Sequence, residues 1–232
     1  MSTNYSAVLF SAGLDSAVLV AHALAAAAPL DARRIAALYV SVGYAWEREE
    51  REMAARLFRA APFAGRIDPP VELSFDMQDV FPPSHWAMRG TPPAADTPDE
   101  DVYLDGRNVI LLSKAAVHMT RRTAAVKDAS ITLMLGTLAG NPFADATPAF
   151  FIAMGEALSL GLGVATTIEA PFASMPKSDV IRRGLDLGVP LELTLSCMNP
   201  KEGRHCGRCS KCRERRDAFK QAGVVDPAPY RV

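Results

Sequence analysis

A short run near the start of the chain, Val8-Leu9-Phe10-Ser11-Ala12-Gly13-Leu14-Asp15-Ser16-Ala17, has the residue types for gripping a phosphate. Residues 7–10 are apolar and long enough for one buried strand. Residues 17–28 are rich in Ala, Val and Leu, with no proline before Pro29, which predicts a helix. Their junction places backbone N–H groups at a helix N-terminus, where the partial positive charge favours an anion. Gly13 lets the backbone turn sharply and come close to that anion, and the Ser11 and Ser16 hydroxyls can donate to phosphate oxygens. Asp15 on its own repels phosphate, and a Mg²⁺ ion bridging the two resolves the conflict. The run has neither the Gly-Lys-Ser/Thr of a Walker loop nor the three-glycine dinucleotide fingerprint. The competing reading is an ordinary strand–turn–helix with an Asp N-cap and no ligand.

The second concentration of chemistry is at the other end of the chain. All four cysteines, Cys197, Cys206, Cys209 and Cys212, fall within sixteen residues in a C-x8-C-x2-C-x2-C spacing. Four thiolates so close suit a tetrahedral Zn²⁺, with Gly203 and Gly207 supplying the turns that bring the sulfurs inward. Disulfides are disfavoured in a cytosolic setting, and an iron–sulfur cluster is the chemical alternative. Four cysteines close the coordination sphere, so one such ion per chain holds structure rather than performing chemistry, and His205 is a bystander. Between Lys201 and Lys220 stand eight Lys/Arg against three Asp/Glu. They read as a solvated helix face in preference to an RNA-binding surface.

The elements that must position these groups alternate. Strand-like runs occur at 7–10, 35–40, 71–75, 131–135 and 164–168, with helix-like stretches at 16–28, 47–60, 108–122, 148–160 and 177–187. That pattern predicts an α/β fold, a parallel twisted sheet with helices on both faces, whose ligand sits beyond the C-terminal strand ends. Residues 79–101, with five prolines, read as a lid or binding loop in which His85 and Trp86 either touch a planar ligand or pin the loop down. At 232 residues, 49% apolar and a net charge of −1, the chain is one large domain with at most a small appendage. There is no internal repeat and no apolar run long enough to span a bilayer, and the N-terminus lacks a basic n-region, so the expectation is a cytoplasmic protein.

Taken in order, these segments resemble the 7-cyano-7-deazaguanine synthase family of the PP-loop ATP-pyrophosphatase superfamily. Ser11–Ser16 is similar to its Ser-Gly-Gly-x-Asp-Ser loop, with Ala12 in place of the middle glycine. Tyr103–Ser113 is similar to its Pro-Gly-Arg-Asn segment, and Pro171–Lys177 to its Pro-Leu-x-x-x-x-Lys segment. Thr194–Cys197 with His205–Cys212 matches the spacing of its zinc site. The resemblance implies a Rossmann-like catalytic domain over 1–190 and a four-cysteine zinc module with a C-terminal helix over 191–232. It implies a homodimer that uses ATP and ammonia to turn a 7-deazapurine carboxylate into a nitrile. By that resemblance Ser11, Ala12, Gly13, Leu14, Asp15, Ser16, Arg107 and Asn108 bind ATP and Mg²⁺, while Asp15, Arg107 and Lys177 serve the reaction.

One region departs from the family pattern. Where the family carries an acid-containing loop ending Tyr-Pro-Asp-Cys-Arg, this chain has Gly136 to Pro148, with Asn141, Phe143 and Asp145 as substitute substrate contacts. The alternative there is a turn built on Asn141-Pro142, with Asp145 helping to cap the following helix. The same departure leaves two further readings open: adenylation of a different carboxylate, or joining of a deazapurine to a partner. An RNA-modifying role is weaker, since all four cysteines are committed to metal.

Overall fold

The computed structural model describes residues 3–231. Five strands form one parallel sheet: β1 (Thr3–Leu9), β2 (Ile35–Ser41), β3 (Val71–Ser74), β4 (Ala129–Met134) and β5 (Ala165–Glu169), in the order β3-β2-β1-β4-β5. The helices are α1 (Leu14–Ala26), α2 (Pro29–Ala32), α3 (Glu47–Leu57), α4 (Trp86–Arg89), α5 (Arg107–Thr123), α6 (Pro148–Leu162), α7 (Lys177–Asp186) and α8 (Ser210–Ala222). All the expected strands and helices are present, with shifts of a few residues at their ends. No helix among the described residues is long and apolar enough to cross a membrane.

The strand sequences explain their places. β2 is apolar without alternation (Ile-Ala-Ala-Leu-Tyr-Val) and six of its seven residues are buried, as a central parallel strand covered on both faces requires. β3 and β5 alternate between covered and open positions, as edge strands do. Alternation along β1 divides the core: Ala7 and Leu9 pack with α5, while Val8 and Phe10 pack with α1, α3 and α7. Leu38, Leu57, Leu112 and Met119 are wholly buried, and truncating any of them to alanine costs about 2–5 kcal/mol.

The chain runs outward through β2 and β3 and then returns to the far side of β1, so the switch point lies between β1 and β4. A crevice opens there at the C-terminal strand ends. Two close approaches shape it. A Cβ on Gly184 would meet a Val18 methyl at 2.8 Å, which sets α7 tightly against α1. A Cβ on Gly136, just after β4, would meet the Asp15 carbonyl carbon at 3.2 Å and the Ser16 nitrogen at 3.3 Å. The proline-rich 79–101 segment forms a strap. It carries α4, packs Trp86 on Trp46 at 5.9 Å and 14°, and pairs Ala94 with Cys209. The C-terminal residues are not set apart from the body. Leu191, Leu195, Ala218 and Phe219 join the α1/α7 core, and the four cysteines join the opposite one.

Candidate active site

The β1–α1 turn has the shape its sequence predicts, with the roles of its residues redistributed. The left-handed residue is Ala12, at φ +57°, fully buried, and not Gly13, which sits at φ −67° as the N-cap of α1. The chain therefore accepts at Ala12 a strain of about 1–2 kcal/mol that glycine would avoid. A Cβ on Gly13 would come within 3.1 Å of Ser11 Oγ and push that hydroxyl aside. Ser16 is largely turned inward: its hydroxyl donates to the Gly13 carbonyl at 3.0 Å and accepts from the Ser11 N–H at 3.2 Å. Ser11 Oγ is left as the more open hydroxyl. The first α1 bond runs from Ala17 N–H to the Gly13 carbonyl, so the N–H groups of Leu14, Asp15 and Ser16 have no acceptor within the helix.

The turn is braced from far along the chain. Leu195 N–H donates to the Ala12 carbonyl at 2.8 Å. Lys177 Nζ bonds Asp15 Oδ2 at 3.0 Å and Glu214 Oε1 at 2.6 Å, and Lys211 Nζ bonds Glu214 Oε2 at 2.8 Å. Burial alone lowers a lysine, but Asp15 and Glu214 outweigh it and hold Lys177 well above its ordinary value. Burial likewise raises Glu214, and its two lysines overcome that and bring it down to about 2. Asp15 Oδ1 is buried with no partner, an orphaned oxygen suited to a hard cation. Lys177 does not line the cavity. Lys211, which sequence reasoning did not single out, does.

That cavity, about 340 Å³, is lined by Ser11, Gly13, Asp15 and Ser16 on one side and by Arg107, Asn108, Asn141, Phe143 and Asp145 on another. Gly106, at φ +68°, opens α5. Asp145 caps that helix and not α6. Its Oδ2 accepts from the Asn108 N–H at 3.0 Å, and its carbonyl from Asn108 Nδ2 at 2.9 Å. Asp145 Oδ1 is buried without a partner. The α6 cap is Thr147, accepting from Phe150 N–H at 3.2 Å. Asn141 is exposed and closes its own turn by accepting from Phe143 N–H, while Phe143 packs on Tyr103 at 4.9 Å.

The opposite wall comes from β2, α3 and the loop between them, which sequence reasoning missed, together with Trp86 of the strap, which both lines the cavity and packs on Trp46. Tyr44, Trp46 and Trp86 supply aromatic surface and Leu38, Val40 and Leu111 aliphatic surface. Glu47 is buried and fully engaged: Oε1 accepts from Val42 N–H at 2.7 Å and Gly43 N–H at 3.0 Å, and Oε2 from Ser41 Oγ at 2.5 Å. Glu50 faces the cavity and accepts from the Tyr39 hydroxyl at 2.7 Å, with the Trp46 indole N–H also bonding it. Burial pushes the Glu50 carboxyl up to about 7, although Tyr39 and Arg107 pull the other way. Burial beside these acids also raises Tyr44 to about 12. A sequence signal existed: Glu47 and Glu50 share the helical face of Ala54 and Leu57, spacings that put them on the buried stripe of α3.

Cys197, Cys206, Cys209 and Cys212 are brought together, all buried, none in a disulfide, with sulfurs within 4.8 Å of one another. Ideal tetrahedral zinc at its usual Zn–S length needs sulfurs about 3.8 Å apart. Cys206–Cys212 at 3.9 Å and Cys209–Cys212 at 3.5 Å are near that. Cys197 Sγ accepts from the Asn199 and Cys206 N–H groups and Cys206 Sγ from Arg208 N–H, bonds that favour thiolates. The donor set fits a closed metal site. His205 is not part of it. Its Nε2 accepts from Ser196 N–H at 3.1 Å, and burial with nearby Arg215 lowers it to about 4. The basic run is partly internal: Arg215 is fully buried on Asp226 and Arg216 donates to the Gly207 carbonyl.

A doubly wound parallel sheet, a strand–turn–helix with open backbone N–H groups at its switch point, and a four-thiol module packed beside that turn define an α/β protein of PP-loop type. The comparisons give the family. The family described as "Queuosine biosynthesis protein QueC" matches residues 6–223. The chain is 33% identical to the 7-cyano-7-deazaguanine synthase of Anaeromyxobacter dehalogenans, covering 96% of this chain and 94% of that one. It is 34% identical to that of Methanosphaerula palustris and 32% to that of Methanopyrus kandleri, in each case covering 96% of this chain and 97% of the relative. The chain belongs to the queuosine biosynthesis protein QueC family.

Proposed function

We propose that this chain is an ATP-dependent carbon–nitrogen ligase that makes 7-cyano-7-deazaguanine from 7-carboxy-7-deazaguanine and ammonia. The observation that carries it is one cavity lined by both an anion-binding turn and an aromatic wall, in a chain of this family. A carboxylate oxygen attacks the α-phosphorus of ATP and pyrophosphate leaves. Ammonia then displaces AMP and loses a proton, giving the amide. A second ATP activates the amide oxygen in the same way, and loss of AMP and a proton leaves the nitrile.

In this reading the Leu14–Ser16 N–H groups and Ser11 hydroxyl hold the pyrophosphate, with Arg107 and Lys211 supplying positive charge to the phosphates as charge develops. Lys177 orients Asp15. Asp15 Oδ1 would hold a Mg²⁺ ion, which would neutralise phosphate charge. Zn²⁺ occupies the four sulfurs and fixes the 191–232 module against the 1–190 catalytic body. A cytoplasmic location is part of the proposal, since it supplies ATP and keeps the thiols reduced. So is a homodimer, supported by the exposed Ile152 and Leu160 on α6, with sedimentation as its check.

The test is mass analysis of products from ATP, ammonia and 7-carboxy-7-deazaguanine. Amide and nitrile should appear with two AMP per nitrile. ATP turnover that ignores the acid or ammonia refutes the reading. The departing 136–148 loop favours one second reading, transfer of the activated deazapurine to a partner, which the same spectra would show as a covalent mass increase on that partner.

A further inference from the structure

We propose that Glu50 reads the donor edge of the guanine-type ring, its carboxylate accepting the ring N1–H and the 2-amino N–H side by side. The assignment rests on the deazaguanine reading above and deepens it by naming what selects the heterocycle.

The choice follows from which carboxylates can still accept. Glu47 is closed on both oxygens by two backbone N–H groups and Ser41. Asp145 uses Oδ2 to cap α5, which leaves one oxygen without a partner. Glu50 faces the cavity and is held by the Tyr39 hydroxyl and the Trp46 indole, both donors. A carboxylate has about four lone-pair sites, so two donors leave acceptor capacity for a ligand. Two parallel N–H donors match a carboxylate face to face, and they draw it toward its ionised form as Tyr39 does. An adenine edge presents an acceptor at N1 and meets that face with repulsion. The wall therefore separates the two purine-like molecules of the reaction, taking the deazaguanine and turning away the adenine of ATP. The flat surfaces of Trp46 and Trp86 beside Glu50 suit a planar ring. In a guanine-type ring the 7-substituent lies across the ring system from N1 and the 2-amino group, so a ring seated on Glu50 directs its reacting group away from that wall.

The test is calorimetric binding of 7-cyano-7-deazaguanine, its analogue lacking the 2-amino group, and ATP to the wild type and to Glu50→Gln. The wild type should bind the 2-amino compound about 10–100-fold more tightly than the analogue. Glu50→Gln should lose most of that preference while binding ATP within about twofold of wild type, since the assignment places Glu50 outside the nucleotide subsite. The wild-type arm does not depend on how the variant folds. If 7-cyano-7-deazaguanine binds the wild type and the 2-amino group makes no difference, or Glu50→Gln keeps the full preference, the assignment is wrong and the proposed activity stands. If Glu50→Gln weakens ATP instead, Glu50 belongs to the nucleotide subsite and the assignment is overturned. If 7-cyano-7-deazaguanine fails to bind the wild type, the deazaguanine reading falls and takes the assignment with it.

Discussion

At the β1–α1 turn four residues within a six-residue stretch, Ser11, Gly13, Asp15 and Ser16, line the cavity, while Ala12 and Leu14 between them are buried in the core. Across from it, the wall made by β2 and α3 gathers its groups from Tyr39, Tyr44, Trp46 and Glu50, with Trp86 added by the strap. The turn is short in sequence but depends on distant support: Leu195 holds the Ala12 carbonyl, and Lys177 links Asp15 to Glu214 on α8. The wall is spread in sequence but largely self-supporting, since Tyr39 and Trp46 both donate to Glu50. A turn built of backbone, with a strained residue at Ala12, needs outside restraint to stay in place. A wall made of large side chains is held by its own packing.

That contrast can be broken at the braces. The largest effect is expected from removing the metal ligand set by Cys209→Ser. Loss of about 4 kcal/mol lowers the melting temperature by roughly 10 °C. Because Leu195 and Glu214 both belong to the braced region, ATP binding should fall much further than 7-cyano-7-deazaguanine binding. Calorimetry alongside metal content checks this, and unchanged ATP affinity in metal-free protein removes the idea of an external brace.

Glu214→Gln is the next step down. It takes the carboxylate from between Lys177 and Lys211 and should cost about 2 kcal/mol at pH 7. The sign with pH follows from the lowered carboxyl. Glu214 moves from an ordinary 4.5 to about 2 in the folded protein, so its contribution is complete above pH 4.5 and vanishes as pH falls toward 2. Urea unfolding of the two proteins should therefore differ at pH 7 and converge in acid, whereas a constant offset contradicts the ion-pair account.

The smallest effect sharpens the turn itself. Ala12→Gly relieves the left-handed strain while adding freedom to the unfolded chain, leaving a net stabilisation of roughly 0.5 kcal/mol. A lower denaturant midpoint at unchanged slope shows that the buried Ala12 methyl matters more than the backbone strain.

Much of this was readable in advance. The turn was legible because helix N-termini bind anions through local backbone, and local backbone follows local sequence. The cysteine cluster was legible for the same reason: four thiols at short C-x8-C-x2-C-x2-C spacing can converge on one ion through local turns. Glu50 was legible only in part: its spacing to Ala54 and Leu57 marks it for the inner face of α3, but that this face borders a cavity is decided by Tyr39, Trp46 and the strap. For Asp145, read as a substrate contact, the alternative of a cap on the following helix pointed to the wrong helix, since the N–H it caps belongs to Asn108, 37 residues away.

The sequence by itself determined the parallel α/β architecture, the family and the two contiguous chemical motifs, because strand and helix periodicity and short-range spacing are properties of neighbouring residues. Only the tertiary structure decided that Lys177 serves Asp15 and Glu214, that Lys211 reaches the cavity, and that Glu47 and Glu50 of an acidic helix line it. Those outcomes depend on burial and on partners as many as 162 residues apart, which are fixed only when the sheet assembles and the C-terminal segment packs against α1 and α7.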